Sequence, residues 1–279
     1  MRTALALFAA AVFCGPAFGQ EDRWEARLTD VKGAVTVYAP GGDPEGLPAE
    51  KDMPLDENDR VKTGVDGYAE LAFEGESVVV LKANSQLTVA ASRKGGSEIG
   101  LAFGSLLAKI GAALGAGGFR VRTPTAVCAV RGTEFGVEVA GEAEGSETAV
   151  GVFDEGKVEV AGPSGDVPET LMSNQETVVR QGSRPLAPYV LKRLMKHRKL
   201  VRGLGKRAQQ IKKRWSSLPA EKRAELRQRW MERSREKLKQ SREKAQQRKV
   251  RRQGPAGQSP AQEKMEKRRQ KILKERRRP

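Results

Sequence analysis

The sequence predicts a mainly β body, of sandwich, barrel or β-solenoid type, followed by a helical and partly disordered basic tail. Three observations predict it. Short segments in the first two-thirds of the chain alternate apolar and polar residues, the period at which one face of a strand turns to a core. Glycine-rich turns separate them, and 24 of the 30 glycines lie between Gln20 and Pro188. After Pro188 the chain changes to Lys, Arg, Gln, Glu and Ala, with apolar residues at helical spacing.

The first element is an export signal. Ala4 to Phe13 is an apolar run too short to span a bilayer, broken by Gly15-Pro16, and Ala17-Phe18-Gly19 places small residues before a cut at Gln20. Residues 1–19 are therefore expected to be a signal peptide; an uncleaved anchor is the alternative. Cleavage removes Cys14 and leaves Cys128 alone, so the mature chain has no intrachain disulfide and depends on its core. Periplasm or bacterial cell envelope is the expected location. No cytoplasmic segment is expected ahead of it.

The body, residues 20–188, follows. Ala34–Tyr38 and Tyr68–Phe73 are the clearest alternating runs, the second placing Ala69, Leu71 and Phe73 on one face. Val78–Leu81, Gln86–Val89, Leu101–Ala108, Phe119–Thr123, Glu134–Val139, Ala149–Phe153, Lys157–Val160 and Glu176–Val179 read as further strands. Asp154-Glu155-Gly156 is a tight turn between two of them. The run from Ile99 to Phe119 carries one charge, Lys109, and could be read as a membrane helix; its six glycines and that lysine argue for strands instead. Gly111–Gly118 lacks the Gly-Lys-Ser/Thr of a phosphate loop. Asp56, Asn58 and Asp59 lack the spacing and distal Glu of a calcium loop.

Along this body the residues resemble the FecR family. The pieces are Val31–Val37, Asn58–Gly64 with Gly67–Leu71, Phe119–Phe135 and Val152–Val160, in the family's order. The most specific is the core Thr123-Pro124 … Val130-Arg131-Gly132-Thr133-Glu134-Phe135. The resemblance implies a twisted, solenoid- or sandwich-like FecR-type domain, an extracytoplasmic location and no catalysis. In the system that names the family, this domain is joined through a membrane helix to a cytoplasmic segment controlling a sigma factor. An extracytoplasmic role in such cell-surface signalling is thus one functional alternative.

The motif also has a physical reading. Pro124 fixes its φ and favours an extended Thr123, ending a strand. Gly132 can take a φ that a side chain disfavours, letting Arg131 turn across the fold, over carbonyls, toward a carboxylate such as Glu155, or toward a ligand. Thr123, Pro124, Arg131, Gly132, Thr133 and Phe135 are expected to be structural. Cys128, among apolar neighbours, reads as a small buried hydrophobe.

The tail is a different polymer. Leu191, Leu194, Val201, Leu204, Ala208, Ile211, Trp215 and Leu218 form one apolar stripe on a cationic helix, weakened at Gly203 and Gly205. Pro219 and Glu221 suit the first turn of a second helix running to about Val250. Residues 189–250 are thus expected to be helical, and residues 251–279 disordered or partly helical.

Charge divides at the same boundary. From Val190 onward 34 Lys+Arg face 8 Asp+Glu, a net of +26, whereas the preceding residues hold 17 and 27, a net of −10. Such a split points to an anionic partner: an envelope polymer, a lipid surface or an acidic protein. An outer-membrane or signalling partner belongs to the signalling alternative, and export disfavours nucleic acid. Lys212, Lys213, Arg214, Trp215 and Trp230 are the candidate contacts. One His and one mature Cys cannot build a Cys/His zinc site, and no carboxylate pair stands out as acid and base. No enzyme, cofactor or metal is expected. The favoured reading is an exported binding domain whose cationic tail docks to anionic envelope material.

Overall fold

The computed structural model describes residues 26–73, 77–93, 96–111, 118–141, 145–165, 167–214, 218–253 and 264–269. The expected signal peptide, Trp215 and most of the segment 251–279 lie outside the described residues.

Strands are numbered in chain order and lie in two layers. One sheet runs β4 (Pro54–Leu55), β1 (Ala26–Lys32), β6 (Tyr68–Phe73), β7 (Ser77–Leu81), the second half of β9 (Gly96–Lys109), β12 (Glu134–Ala140), β13 (Glu147–Val152), β16 (Gln175–Arg180) and β17 (Tyr189–Val190). The other runs β3 (Leu47–Pro48), β2 (Val35–Tyr38), β5 (Arg60–Thr63), β8 (Gln86–Arg93), the first half of β9, β10 (Phe119–Arg122), β11 (Val127–Arg131), β14 (Lys157–Ala161) and β15 (Glu169–Leu171). Pairing is antiparallel except between β9 and β10.

The chain builds these layers by folding long hairpins over a corner. The β6–β7 hairpin lies in the first sheet, and its two arms continue into the second as β5 and β8, which pair again. The unit β11–β12–β13–β14 repeats that pattern. A corner needs a sharp change of direction, which a positive φ supplies. Gly33, Asn84, Gly104, Gly132, Gly156 and Asn174 occupy corners, with φ of 64°, 52°, 91°, 58°, 94° and 64°. Equivalent threonines staple both units. The Thr63 hydroxyl donates to the Lys82 carbonyl at 2.6 Å and accepts from the Ser85 N–H at 3.0 Å. Thr133 donates to the Lys157 carbonyl at 2.9 Å and accepts from the Lys157 N–H at 3.2 Å.

Between the layers lies the core, with Leu28, Leu71, Phe73, Leu101, Phe119, Phe135, Val152 and Val160 fully or almost fully buried. The Phe73 and Phe119 rings meet edge to face at 5.5 Å, a favoured aromatic geometry. Cys128 sits in the same core, where burial pushes its thiol pKa up to about 12.

The outer face of the first sheet is also apolar, and the tail covers it. After a 3-10 turn (Leu194–His197), helix α1 (Arg198–Arg214) lays Val201, Leu204, Ala208 and Ile211 on Ala72, Val78, Val80, Leu107 and Phe153. Glycine makes room: a Cβ on Gly151 would stand 2.6 Å from Leu191 Cδ1 and 3.0 Å from Leu194 Cδ1. Gly203 and Gly205 do not interrupt α1, because packing of its apolar face outweighs their weak helix propensity.

The buried Glu176 carboxylate accepts the backbone N–H groups of Arg193 and Leu194 at 3.0 and 3.2 Å, satisfying donors at the start of this helical segment. Helix α2 (Ala220–Gln253) then packs along β3 and β4, the edge strands of the two sheets. It thereby shields edges that would otherwise template pairing with another chain.

Candidate interaction face

Period-two alternation dictates what the second sheet shows to solvent. In Arg60-Val61-Lys62, Arg120-Val121-Arg122 and Lys157-Val158-Glu159 the valine points into the core and the charged residues point out. Pairing of β10 with β11, and of β11 with β14, gathers Arg120, Arg122, Arg131, Lys157 and Glu159 on one patch. Arg60 and Lys62 add a second cluster on β5, about 24 Å from β14 at ordinary strand spacing. Small residues, Gly100, Ala102 and Ala129, floor the region between.

The result is an open sheet, carrying six cations against Glu98 and Glu159, on a body whose overall charge is negative. Arg122 Nε pairs with Glu98 at 2.5 Å, and Arg60 lies 5.3 Å from the Tyr38 ring. Arg131 and Lys157 stand directly opposite each other across β11 and β14. Like charges in that register repel each other. A cavity of about 330 Å³, lined in part by Arg120, Arg131, Lys157 and Glu159, opens there.

The expected motif residues surround this patch. Thr123, Pro124 and Thr125 form the turn from β10 to β11. The Thr123 hydroxyl accepts from the Ala126 N–H at 2.8 Å, and the Thr123 and Thr125 hydroxyls lie 2.8 and 2.6 Å from that of Thr148 on β13. Pro124 is exposed at the tip. Gly132 is the corner, Thr133 its staple, and Phe135 is buried between the sheets. Glu155 pairs with Lys109, while Arg131 is exposed at the end of β11. Arg60, Lys62, Arg120, Arg122 and Lys157 were not among the residues singled out from the sequence. Their alternation with valine is visible there, but the register that assembles them is not.

The tail candidates are distributed differently. Lys212, Lys213 and Arg214 are exposed in the last turn of α1, and Trp230 on α2 is half-buried against the core, with the Arg233 guanidinium 4.8 Å from its ring.

Other tail cations, unmarked in the sequence, pair with acids of the body. Arg198 and Arg202 reach Asp154 at 2.8 and 2.6 Å, and Arg193 reaches Glu138 and Glu147 at 2.9 and 2.5 Å. Arg207 meets the buried Glu70 at 2.9 Å, and Lys237 and Arg242 pair with Glu50 and Glu45. The deepest contact is Arg227 of α2. Its guanidinium holds both oxygens of the fully buried Asp59 at 2.6 and 2.7 Å, with Asp56 at 2.8 Å. Burial works to lower the Arg227 pKa, but hydrogen bonding and charge from Asp59, with Asp56, outweigh it and raise it. His197, half-buried beside Lys196, has its pKa lowered by burial first and by that charge second.

Among the described residues no group of three or more His, Cys, Asp or Glu is placed to hold a metal, and no helix is long and apolar enough to cross a membrane. No curated protein matches the chain. Among solved structures, two of a candidate anti-sigma factor from Parabacteroides distasonis ATCC 8503 match at 22% identity, with TM-scores of 0.42 and 0.41. They cover 50% and 48% of this chain, and the chain spans less than two-thirds of theirs, 64% and 61%. Residues 59–159 match the family described as FecR protein, from the Asp59 that anchors α2 to Glu159 on the cationic patch. The matched segment is the repeating hairpin body, and over that stretch the chain is similar to the FecR family.

Proposed function

We propose that this chain is an exported, non-catalytic regulator of the sigma-factor signalling kind, beginning at Gln20 after signal cleavage. Its open sheet receives an acidic segment of a signalling partner. The observation that carries this reading is the cationic patch of Arg120, Arg122, Arg131 and Lys157 within a FecR-family segment, on a sheet face that no helix covers among the described residues. Complementary charge on such a face governs encounter rate and partner choice more than raw affinity.

The test is transcript profiling of the host with the gene deleted. One sigma-dependent set of transcripts should change several-fold. The full chain should restore it, and a chain carrying Arg120→Glu, Arg122→Glu and Lys157→Glu should not. No coordinated change on deletion would sink the proposal.

A second reading, docking of the tail to anionic envelope material, is favoured by one feature. Residues 243–249 of α2 are exposed and include Lys244, Arg248 and Lys249. It expects retention on purified envelope to fall steeply as salt shortens the Debye length to about 8 Å. Retention that ignores salt, or survives loss of residues 243–279, would discard it.

A further inference from the structure

A second cluster of cations lies on the opposite side of the molecule, where α1 meets the edge of the covered sheet. Arg27 and Thr29 on β1, Lys51 and Asp52 in the turn before β4, and Arg207 and Arg214 on α1 line a cleft of about 230 Å³. Three separate stretches of chain thus bring four cations together, with Asp52 as the carboxylate among these lining residues. A second acid, Glu70, lies behind Thr29, whose hydroxyl donates to it at 2.6 Å, and Arg207 holds its two oxygens at 2.9 and 3.1 Å.

Counting both acids, the cleft keeps an excess of two positive charges. Arg27 is half-buried, and loss of water lowers its pKa more than Asp52 raises it. A partly dehydrated guanidinium beside other cations is the environment in which an anion with several acceptor oxygens gains most.

We infer that this cleft binds a small doubly charged anion of the phosphate type, either inorganic phosphate or a small phosphate monoester. The charge excess matches a dianion. The volume admits such a molecule, and guanidinium forks match phosphate oxygens in geometry. Because Arg27 and Lys51 belong to the β body whereas Arg207 and Arg214 belong to α1, the anion bridges the two and adds to the docking of the tail. The site is separate from the open-sheet face and does not depend on the signalling reading.

The experiment is calorimetry and thermal melting of the full chain, with potassium phosphate titrated against potassium chloride at matched ionic strength. Inorganic phosphate should bind saturably and raise the melting temperature, as a ligand selective for the folded state must. A parallel titration with glycerol 3-phosphate separates the sources: tighter binding than inorganic phosphate identifies a monoester site, and weaker binding a free-phosphate site. Lys51→Gln with Arg214→Gln, both exposed positions, should weaken binding about tenfold or more, the worth of two charge-assisted hydrogen bonds. Its unliganded melting temperature should remain close to that of the parent.

Lys239→Gln with Lys244→Gln on α2 makes the same charge change elsewhere and should leave binding intact. If neither phosphate species binds saturably, or the two pairs of substitutions weaken binding equally, the attraction is diffuse and the site is overturned. If the double substitution alters the fold, Lys51→Gln alone carries the test, and unchanged affinity in it overturns the site as well.

Discussion

At the scale of single residues, two positions concentrate the fold's constraints. Gly132 has a φ of 58° at the corner between β11 and β12. A β-branched side chain there is strained, so Gly132→Val should destabilise the chain by about 1–3 kcal/mol in denaturant unfolding; an unchanged midpoint would show that the corner relaxes. Asp59 is fully buried, and its charge is answered by Arg227, 168 residues away in sequence. Removing one partner of such a pair leaves an uncompensated buried charge. Arg227→Ala should therefore cost about 3–5 kcal/mol. Asp59→Asn in the Arg227→Ala background should recover much of that loss, because it removes the stranded charge. Equal effects from the single and double substitutions would mean the pair contributes no coupling.

At the scale of elements, the question is what holds α1 to its sheet. Gly151 lets Leu191 and Leu194 approach so closely that a larger side chain there would force both leucines to shift. Gly151→Val should loosen the helical segment, seen as tryptic cleavage within residues 198–214 under conditions where the parent resists; an identical digestion pattern would refute this seat.

Electrostatics adds a pH dependence. Burial works to raise the Glu138 pKa, but hydrogen bonds from Lys196 and Arg193 outweigh it, so the net is lowered. Asp154 is lowered chiefly by its hydrogen bond from Arg202, against some desolvation, with Arg198 assisting. Groups with depressed folded pKa values stabilise above their unfolded values, about 4, and lose that contribution as pH falls through the folded ones. Tail docking should accordingly be intact at neutral pH and weaken below about pH 4. Glu138→Gln should flatten that acid limb of the melting-temperature profile, and a profile unchanged by the substitution would assign the limb to other carboxylates.

At the scale of the whole molecule, the division of charge between body and tail has an internal use. Basic residues from Arg193 to Arg242, in the turn before α1 and in both helices, pair with Glu45, Glu50, Asp59, Glu70, Glu138 and Asp154, so the body is the tail's first anionic partner. The tail also covers apolar surface. Without it, Ala72, Val78, Val80, Leu107 and Phe153 would face water together. A chain ending at Pro188 should self-associate or precipitate where the full chain stays soluble, checked by light scattering. A monodisperse monomer of that truncated chain would show that α1 is dispensable for the body.

Local physical signals account for much of what is visible without coordinates. Alternation marked β2, β10 and β14, because one buried face imposes period two on each strand by itself, whereas β7 was marked by an unbroken apolar run and is buried on both faces. The Thr-Pro and Arg-Gly-Thr residues marked a turn and a corner, since Pro and Gly carry their backbone preferences wherever they sit. The apolar stripe from Leu191 to Ile211 marked a helix with one buried face. What that face covers was not legible, because a stripe encodes the need for a surface and not its identity. The same holds for the two-residue strands β3, β4 and β17, too short for any periodicity, and for the partners of Arg227 and Arg207. The sequence pattern together with composition determined a β body with a cationic helical tail. Only the tertiary structure decided that the tail folds back onto the body, and that cations spaced far apart in sequence meet on one open face, because strand register and long-range ion pairs are properties of contacts between segments.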